Sequence, residues 1–213
     1  MAHPGILLSF EGGEGCGKST HSRKLSAELK ALGYDVLTTR EPGGTPLGER
    51  IRTVLLNSKE DLHPLEEFLL FSAARAHLVR TVLLPALASG RVVIIDRYYH
   101  SSYAYQGAGG LDAAYMREVT MRAVGECQPD AVLLLDISAE AGLERCVQAG
   151  KPQGCADRFE RRGLEFHRRV RELFLDEARA DNRFTVVSSE GGFDDVHAII
   201  LASALRAINS KRD

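Results

Sequence analysis

The sequence is 213 residues long, with 27 basic and 29 acidic side chains, a formal charge of −2, 44% hydrophobic residues and four cysteines. That length suits one domain with a real core, and the near balance of charge argues against nucleic acid or a membrane surface as partner. Apolar runs such as 92–95 and 131–135 are far below a membrane span, the first five residues lack the regions of a signal peptide, and the cysteines show no CxxC pair or zinc-ligand spacing, so a cytoplasmic protein with reduced thiols is expected.

Ile6 to Phe10 is an apolar run that reads as a buried strand. It enters Glu11-Gly12-Gly13-Glu14-Gly15-Cys16-Gly17-Lys18-Ser19-Thr20, with four glycines in six positions. The spacing Gly12-x-x-x-x-Gly17-Lys18-Ser19 is that of a phosphate-binding loop. Glycines allow positive φ and close approach of the backbone, so successive N–H groups can point at an anion. The helix that follows aims its N-terminal amides at the same place. Lys18 supplies a mobile charge for the β and γ oxygens, and the Ser19 hydroxyl is placed to ligate Mg²⁺. Cys16 reads as a small residue that fits the loop. A Mg-nucleoside triphosphate is the expected ligand.

Leu25, Leu29 and Leu32 continue the helix, and Gly33 stops it. Tyr34 to Thr39 reads as a second strand, followed by the breaker-rich loop Arg40-Glu41-Pro42-Gly43-Gly44-Thr45. A short helix is expected over 47–57 and a longer one over 65–88, with Pro85 kinking or restarting it. The third strand, 91–95, ends in Asp96-Arg97-Tyr98. Residues 98–110 are rich in Tyr, Ser and Gly and precede a helix from about Asp112 to Gly125. Ala131 to Leu135 is a fourth strand ending in Asp136. A helix over 139–149, a polar segment over 150–157, a charged helix over 159–180, a strand over 184–187 and a helix over 194–209 complete the chain.

Strands and helices alternate throughout, so the expected class is α/β, with a parallel sheet of about five strands covered by helices. Right-handed crossovers gather the loops at the strand C-termini along one crevice. There Asp96 is expected to organise the metal with Ser19. Arg97 and Arg40, from neighbouring strand ends, would form a second phosphate site in forked geometry. Two phosphate sites in one crevice suggest transfer between two phosphorylated molecules rather than hydrolysis.

At this point the sequence resembles the thymidylate (dTMP) kinases. The matching stretches are 10–20, Thr39-Arg40-Glu41-Pro42-Gly43-Gly44-Thr45, Leu70-Phe71-Ser72-Ala73-Ala74-Arg75-Ala76-His77, Asp96-Arg97-Tyr98, Ser101-Ser102-Tyr103-Ala104-Tyr105-Gln106-Gly107, Pro129-Asp130 with Leu134-Leu135-Asp136, and Asp157-Arg158-Phe159-Glu160. They cover nearly the whole chain in order. The resemblance implies a single domain with the three-layer fold of P-loop nucleoside monophosphate kinases, a flexible lid over about 145–160, a homodimer, and the reaction of ATP with dTMP to give ADP and dTDP. It implies that Phe71 stacks on thymine and Arg75 hydrogen-bonds the base. From the residues alone, those two read equally well as a core ring and a solvated charge. Tyr105 would lie under the sugar and crowd out a 2′-hydroxyl. Glu14 would accept from the 3′-hydroxyl, and Arg40 and Arg97 would hold the acceptor phosphate. Ser101, Ser102 and Gln106 would line the same pocket. Pro42 matches a proline the family places in a tight turn, for which a cis bond is one option.

Some members carry an arginine inside the phosphate loop, where this sequence has Gly15. The resemblance then implies that lid arginines supply the charge. Here the lid is thin in arginine: Arg145 and Arg158 remain, with Lys151 as a substitute. Arginines 161, 162, 168, 169 and 171 alternate with Glu160, Glu165 and Glu172 and read as a solvated helix face. Three alternatives stay open: a kinase for another monophosphate or small alcohol, a P-loop regulatory module, and an inactive homologue that binds without turnover.

Overall fold

The computed structural model describes residues 4–57, 61–149, 158–159 and 161–212. Five parallel strands, β1 (Ile6–Glu11), β2 (Val36–Arg40), β3 (Val92–Asp96), β4 (Ala131–Asp136) and β5 (Phe184–Ser188), form one sheet in the order β2-β3-β1-β4-β5. Alternation along β1 assigns its side chains to two faces. Ile6, Leu8 and Phe10 meet Leu25 and Leu29 of α1 (Lys18–Ala31) and Ile200 and Ile208 of α9 (Phe193–Arg212). Leu7 faces the other way, with Val93 and Ile95, toward Phe68, Leu78 and Leu83. Every residue of β1 is buried, as a central parallel strand requires.

Helices α2 (Pro46–Asn57) and α3 (Pro64–Leu78) follow β2. One turn of π-helix, Val79–Leu83, then leads into α4 (Leu84–Ala88). Pro85 explains the break: it has no N–H, and its ring collides with the carbonyl one turn back, which the wider turn relieves. By length and composition the run Pro64–Ala88 could cross a membrane. Here it is a core element, with Phe68, Leu78, Leu83 and Leu87 fully buried.

Composition assigned no helix to residues 98–110, yet Tyr99–Ala108 form α5. Seven of its ten residues are buried: Tyr99, His100, Ser102, Tyr103, Ala104, Tyr105 and Gln106. A helix enclosed on nearly all sides has no polar stripe to reveal it, and packing against α3, α6 (Ala113–Val124) and α8 (Leu164–Ala180) overrides weak intrinsic propensity. Helix α7 (Ala139–Gln148) lies where expected. Helix α8 begins at Leu164 after Gly163, later than expected, because residues 158 and 159 form a turn.

The solvated helix face expected of the late arginines holds only in part. Arg161, Arg168 and Arg169 are exposed. Arg162 instead pairs with the fully buried Glu67 at 2.5 Å and lies over the rings of Phe159 and Phe166. Arg171 makes a two-pronged bond to Asp136, with Nε to Oδ1 at 2.7 Å and Nη2 to Oδ2 at 2.8 Å. Both arginines answer carboxylates from distant parts of the chain, which a local charge pattern does not reveal.

Candidate active site

Register sets the geometry of the site. Asp96, the last residue of β3, pairs with Phe10 on one side and Arg40 on the other. The loop after β1 therefore lies beside the turn after β3, and Arg40 stands one strand further out. Within the loop, Lys18 Nζ donates to the carbonyls of Gly12 (3.0 Å) and Gly13 (2.6 Å) and approaches Cys16 Sγ at 3.3 Å. Cys16 is buried beneath it. Gly15 has φ +67, and a Cβ there would fall inside the carbonyl oxygen of Gly142 on α7. Gly142 in turn has no room for a Cβ against the Glu14 carbonyl. This mutual approach is why position 15 carries no side chain.

At the end of β3 the backbone turns sharply. Arg97 takes φ +66, the left-handed region that costs a residue with a side chain about 1–2 kcal/mol. The turn is held by two bonds, Arg97 N–H to the Phe10 carbonyl (2.9 Å) and Tyr98 N–H to Glu11 Oε1 (2.8 Å). It directs the guanidinium back at the loop. There Nη1 donates to the Gly12 carbonyl (3.0 Å) and to Ser101 Oγ (3.2 Å), and Nη2 to Glu14 Oε1 (2.7 Å) and Tyr105 Oη (3.2 Å). The Tyr105 hydroxyl itself donates to Glu14 Oε1 at 2.6 Å.

These contacts set the charges. Burial pushes the Glu14 carboxyl up, but Arg97, Lys18 and the Tyr105 hydroxyl outweigh it and hold the pKa at about 2. Glu11 goes the other way: burial raises it to about 7 against the bonds from Ser101 and Tyr98 and the charges of Arg97 and Lys18. Burial likewise opposes the charged form of Arg97, yet Tyr105, Glu14 and Asp96 keep its pKa well above the ordinary value.

A cavity of about 540 Å³ opens at these strand ends. Of the residues expected from sequence, the phosphate-loop residues Glu14, Gly15, Gly17, Lys18, Ser19 and Thr20 line it. So do the strand-end residues Arg40, Asp96 and Arg97, the helical residues Phe71, Arg75, Ser101, Ser102, Tyr105 and Gln106, and Arg145 of α7. Gly12, Gly13 and Cys16 form the loop behind it. Arg75 is not a solvated charge: it is 1% exposed, with Nε donating to Glu41 Oε2 (2.7 Å) and Nη2 to Ser102 Oγ (3.0 Å). Its Nη1 has no hydrogen-bond partner among the described residues. The Glu41–Pro42 peptide is cis. Arg40 is half-exposed and bonds Glu49.

Arg145 Nη2 donates to the Ser189 carbonyl after β5 at 2.9 Å. Arg158, by contrast, is outside the cavity and ion-pairs with Glu67, which also accepts from Gln106 Nε2 at 2.9 Å. Lys151 and most of the lid segment, 150–157 and 160, lie outside the described residues. Sequence reasoning gave no role to Glu11, Glu41 or Glu67, three buried carboxylates that hold Ser101, Arg75 and Arg158. Their signal was present as acids next to apolar runs or glycine-rich motifs, but their partners are 34 to 91 positions away.

Comparison with known proteins agrees with this arrangement. A family model described as thymidylate kinase matches residues 10–200. A thymidylate kinase of Deinococcus radiodurans is 47% identical over 201 residues, covering 93% of this chain and 96% of that protein. One from Chlorobium luteolum is 45% identical over 203 residues, with 92% and 95% covered. One from Caulobacter vibrioides is 44% identical over 199 residues, with 92% and 94% covered. With a phosphate loop, a facing arginine turn and relatives matched over nearly their whole length, this chain belongs to the thymidylate kinase family.

Proposed function

We propose that this crevice transfers the γ-phosphoryl group of ATP to dTMP, giving ADP and dTDP, as the name of the family and of its relatives indicates. The observation that carries the reading is the single cavity joining Lys18, Ser19 and Asp96 on one side to Phe71, Arg75, Arg97 and Tyr105 on the other. On the donor side, the loop amides and Lys18 bind the β- and γ-phosphates. On the acceptor side, the Arg75 Nη1 that has no hydrogen-bond partner among the described residues donates to a thymine carbonyl, while Phe71 stacks on the ring. Tyr105 lies against the sugar, where a 2′-hydroxyl would crowd it. Glu14 accepts from the 3′-hydroxyl, and Arg97 with Arg40 holds the acceptor phosphate.

That phosphate has a second pKa of about 6, so near neutral pH it is largely the dianion and needs no general base. One of its oxygens attacks the γ-phosphorus as the bond to the ADP oxygen breaks. The protein's contribution is alignment and charge compensation. With Gly15 in the loop, an arginine must reach the transferring group from elsewhere. Arg145 lines the cavity and Arg158 is engaged by Glu67, so Arg145 takes that role.

Magnesium fits the donor set. Ser19 Oγ donates to Asp96 Oδ2 at 2.5 Å, so a hydroxyl and a carboxylate, both hard oxygens, stand side by side at the loop's end. Two protein oxygens suit an ion that keeps its remaining positions for water and phosphate. When bound, it neutralises charge on the donor phosphates.

We also read the chain as a homodimer in the cytoplasm. Helices α2, α3 and α6 pack side by side and expose Val54, Leu69, Tyr115 and Met121. Light scattering on the purified chain tests the dimer, a monomer mass counting against it.

The test of function is ADP release with Mg-ATP against dTMP, dUMP, dCMP, ribosyl TMP and AMP. Turnover on dTMP well above the rest supports the assignment. Preference for another monophosphate keeps the fold and overturns the base pocket.

A further inference from the structure

We propose that Glu11 is a positioning residue for Arg97, a buried acceptor that fixes both the backbone turn and the guanidinium of that arginine through its two carboxylate oxygens. The proposal rests on the reading of Arg97 as ligand of the acceptor phosphate.

Strand alternation places Glu11 on the face of β1 that carries Leu7, toward the start of α5. It is fully buried and does not line the cavity, so it touches no substrate. Its neighbours on β1 are apolar at almost every position, and an isolated buried carboxylate is costly. Its oxygens are nevertheless both used. Oε1 accepts from Tyr98 N–H at 2.8 Å, which pins the turn that Arg97 enters with positive φ. Oε2 accepts from Ser101 Oγ at 2.6 Å. Because the Ser101 proton is committed to Glu11, the lone pairs of its oxygen are left for Arg97 Nη1, 3.2 Å away. With a pKa of about 7 the Glu11 carboxyl is ionised above neutral pH, where it only accepts and thus fixes the polarity of a chain running Arg97 to Ser101 to Glu11. The charged groups around it are Arg97 and Lys18. His100 Nδ1 is 3.9 Å from Oε1, and burial drops its pKa to about 3, so it stays neutral.

Glu11→Gln keeps volume and shape but offers an amide N–H where Oε2 stood. Ser101 must then accept from it and turn its own proton elsewhere, toward the arginine it now receives. The guanidinium loses its fixed position while the loop, Lys18 and the base pocket keep theirs.

The experiment is steady-state kinetics on the full chain for wild type, Glu11→Gln, Ser101→Ala, Arg97→Ala and the Glu11→Gln/Arg97→Ala double variant, each with its Tm. Glu11→Gln is expected to raise KM for dTMP about tenfold, the scale of one lost charge-assisted hydrogen bond, with KM for ATP within about twofold. Ser101→Ala shifts dTMP in the same direction and serves as the second variant should Glu11→Gln fail to fold. In the Arg97→Ala background, Glu11→Gln adds nothing further to the dTMP KM. Equal changes in both KM values, a full additional tenfold in the double variant, or an unchanged dTMP KM in a folded protein overturns the proposal. Arg97→Ala with an unchanged dTMP KM overturns the underlying reading of Arg97 instead, so the two failures are distinct.

Discussion

Arg97 Nη2 stands 2.7 Å from Glu14 Oε1, and that one ion pair ties the turn after β3 to the phosphate loop after β1. The Tyr105 hydroxyl shares the same carboxylate oxygen. The residue that would hold the acceptor phosphate and the residue that would meet the sugar are therefore set by each other. Both side chains are mostly buried, so the pair is shielded from the screening that weakens surface ion pairs.

Glu14→Gln removes the charge and keeps the shape. It is expected to raise KM for dTMP about tenfold, because Arg97 loses its charged partner and, on the proposed reading of the site, the 3′-hydroxyl loses its acceptor. The preference for dTMP over its 3′-deoxy analogue should shrink in parallel, measured as a ratio of kcat/KM values. An unchanged ratio would remove Glu14 from the sugar site.

The two lid arginines separate by partner. Arg145→Ala is expected to lower kcat by about a hundredfold or more with little change in either KM, as befits a charge used on the transferring group. Among the described residues Arg158→Ala leaves Glu67 with Arg162 and Gln106, so its main effect should be a lower Tm. Reversed effects, with Arg158→Ala costing kcat and Arg145→Ala costing Tm, would exchange the roles.

His100 supplies a pH test. It is buried against Phe184 in an edge-on contact, with its pKa depressed by burial to about 3. Below about pH 6.5 the unfolded chain binds a proton that the folded chain refuses until about pH 3. Its contribution to stability is therefore complete above pH 6.5 and is lost as pH falls, by about 1.4 kcal/mol per unit. His100→Phe has no proton to gain, so denaturant titrations at pH 7, 6 and 5 should show wild type falling behind the variant, by about half that amount from pH 7 to 6 and close to the full amount from pH 6 to 5. Parallel curves would mean that His100 takes up its proton in the fold as readily as in the unfolded chain, so that burial does not depress its pKa.

Much of this fold was readable because strands and helices announce themselves by different periods. The apolar runs at 6–10, 92–95 and 131–135 are central strands, and the phosphate loop fell between a strand and a helix as its chemistry requires. What sequence did not disclose had a common cause. Helix α5 is enclosed and so lacks a polar face. Arg162 and Arg171 looked solvated because Glu67 and Asp136 are brought to them only by the fold. Glu11 had no assigned role because its partners, Tyr98 and Ser101, come from the turn after β3 and the start of α5. Arg75 was undecided until its burial against Glu41 and Ser102 was seen.

The most direct measurement is KM for dTMP and for ATP, with kcat, in wild type and Arg97→Ala. A site divided between a donor loop and an acceptor arginine predicts that kcat/KM for dTMP falls by about a hundredfold or more while KM for ATP stays within about threefold. Loss confined to ATP, or no loss for either substrate in a folded variant, would contradict that division of the crevice.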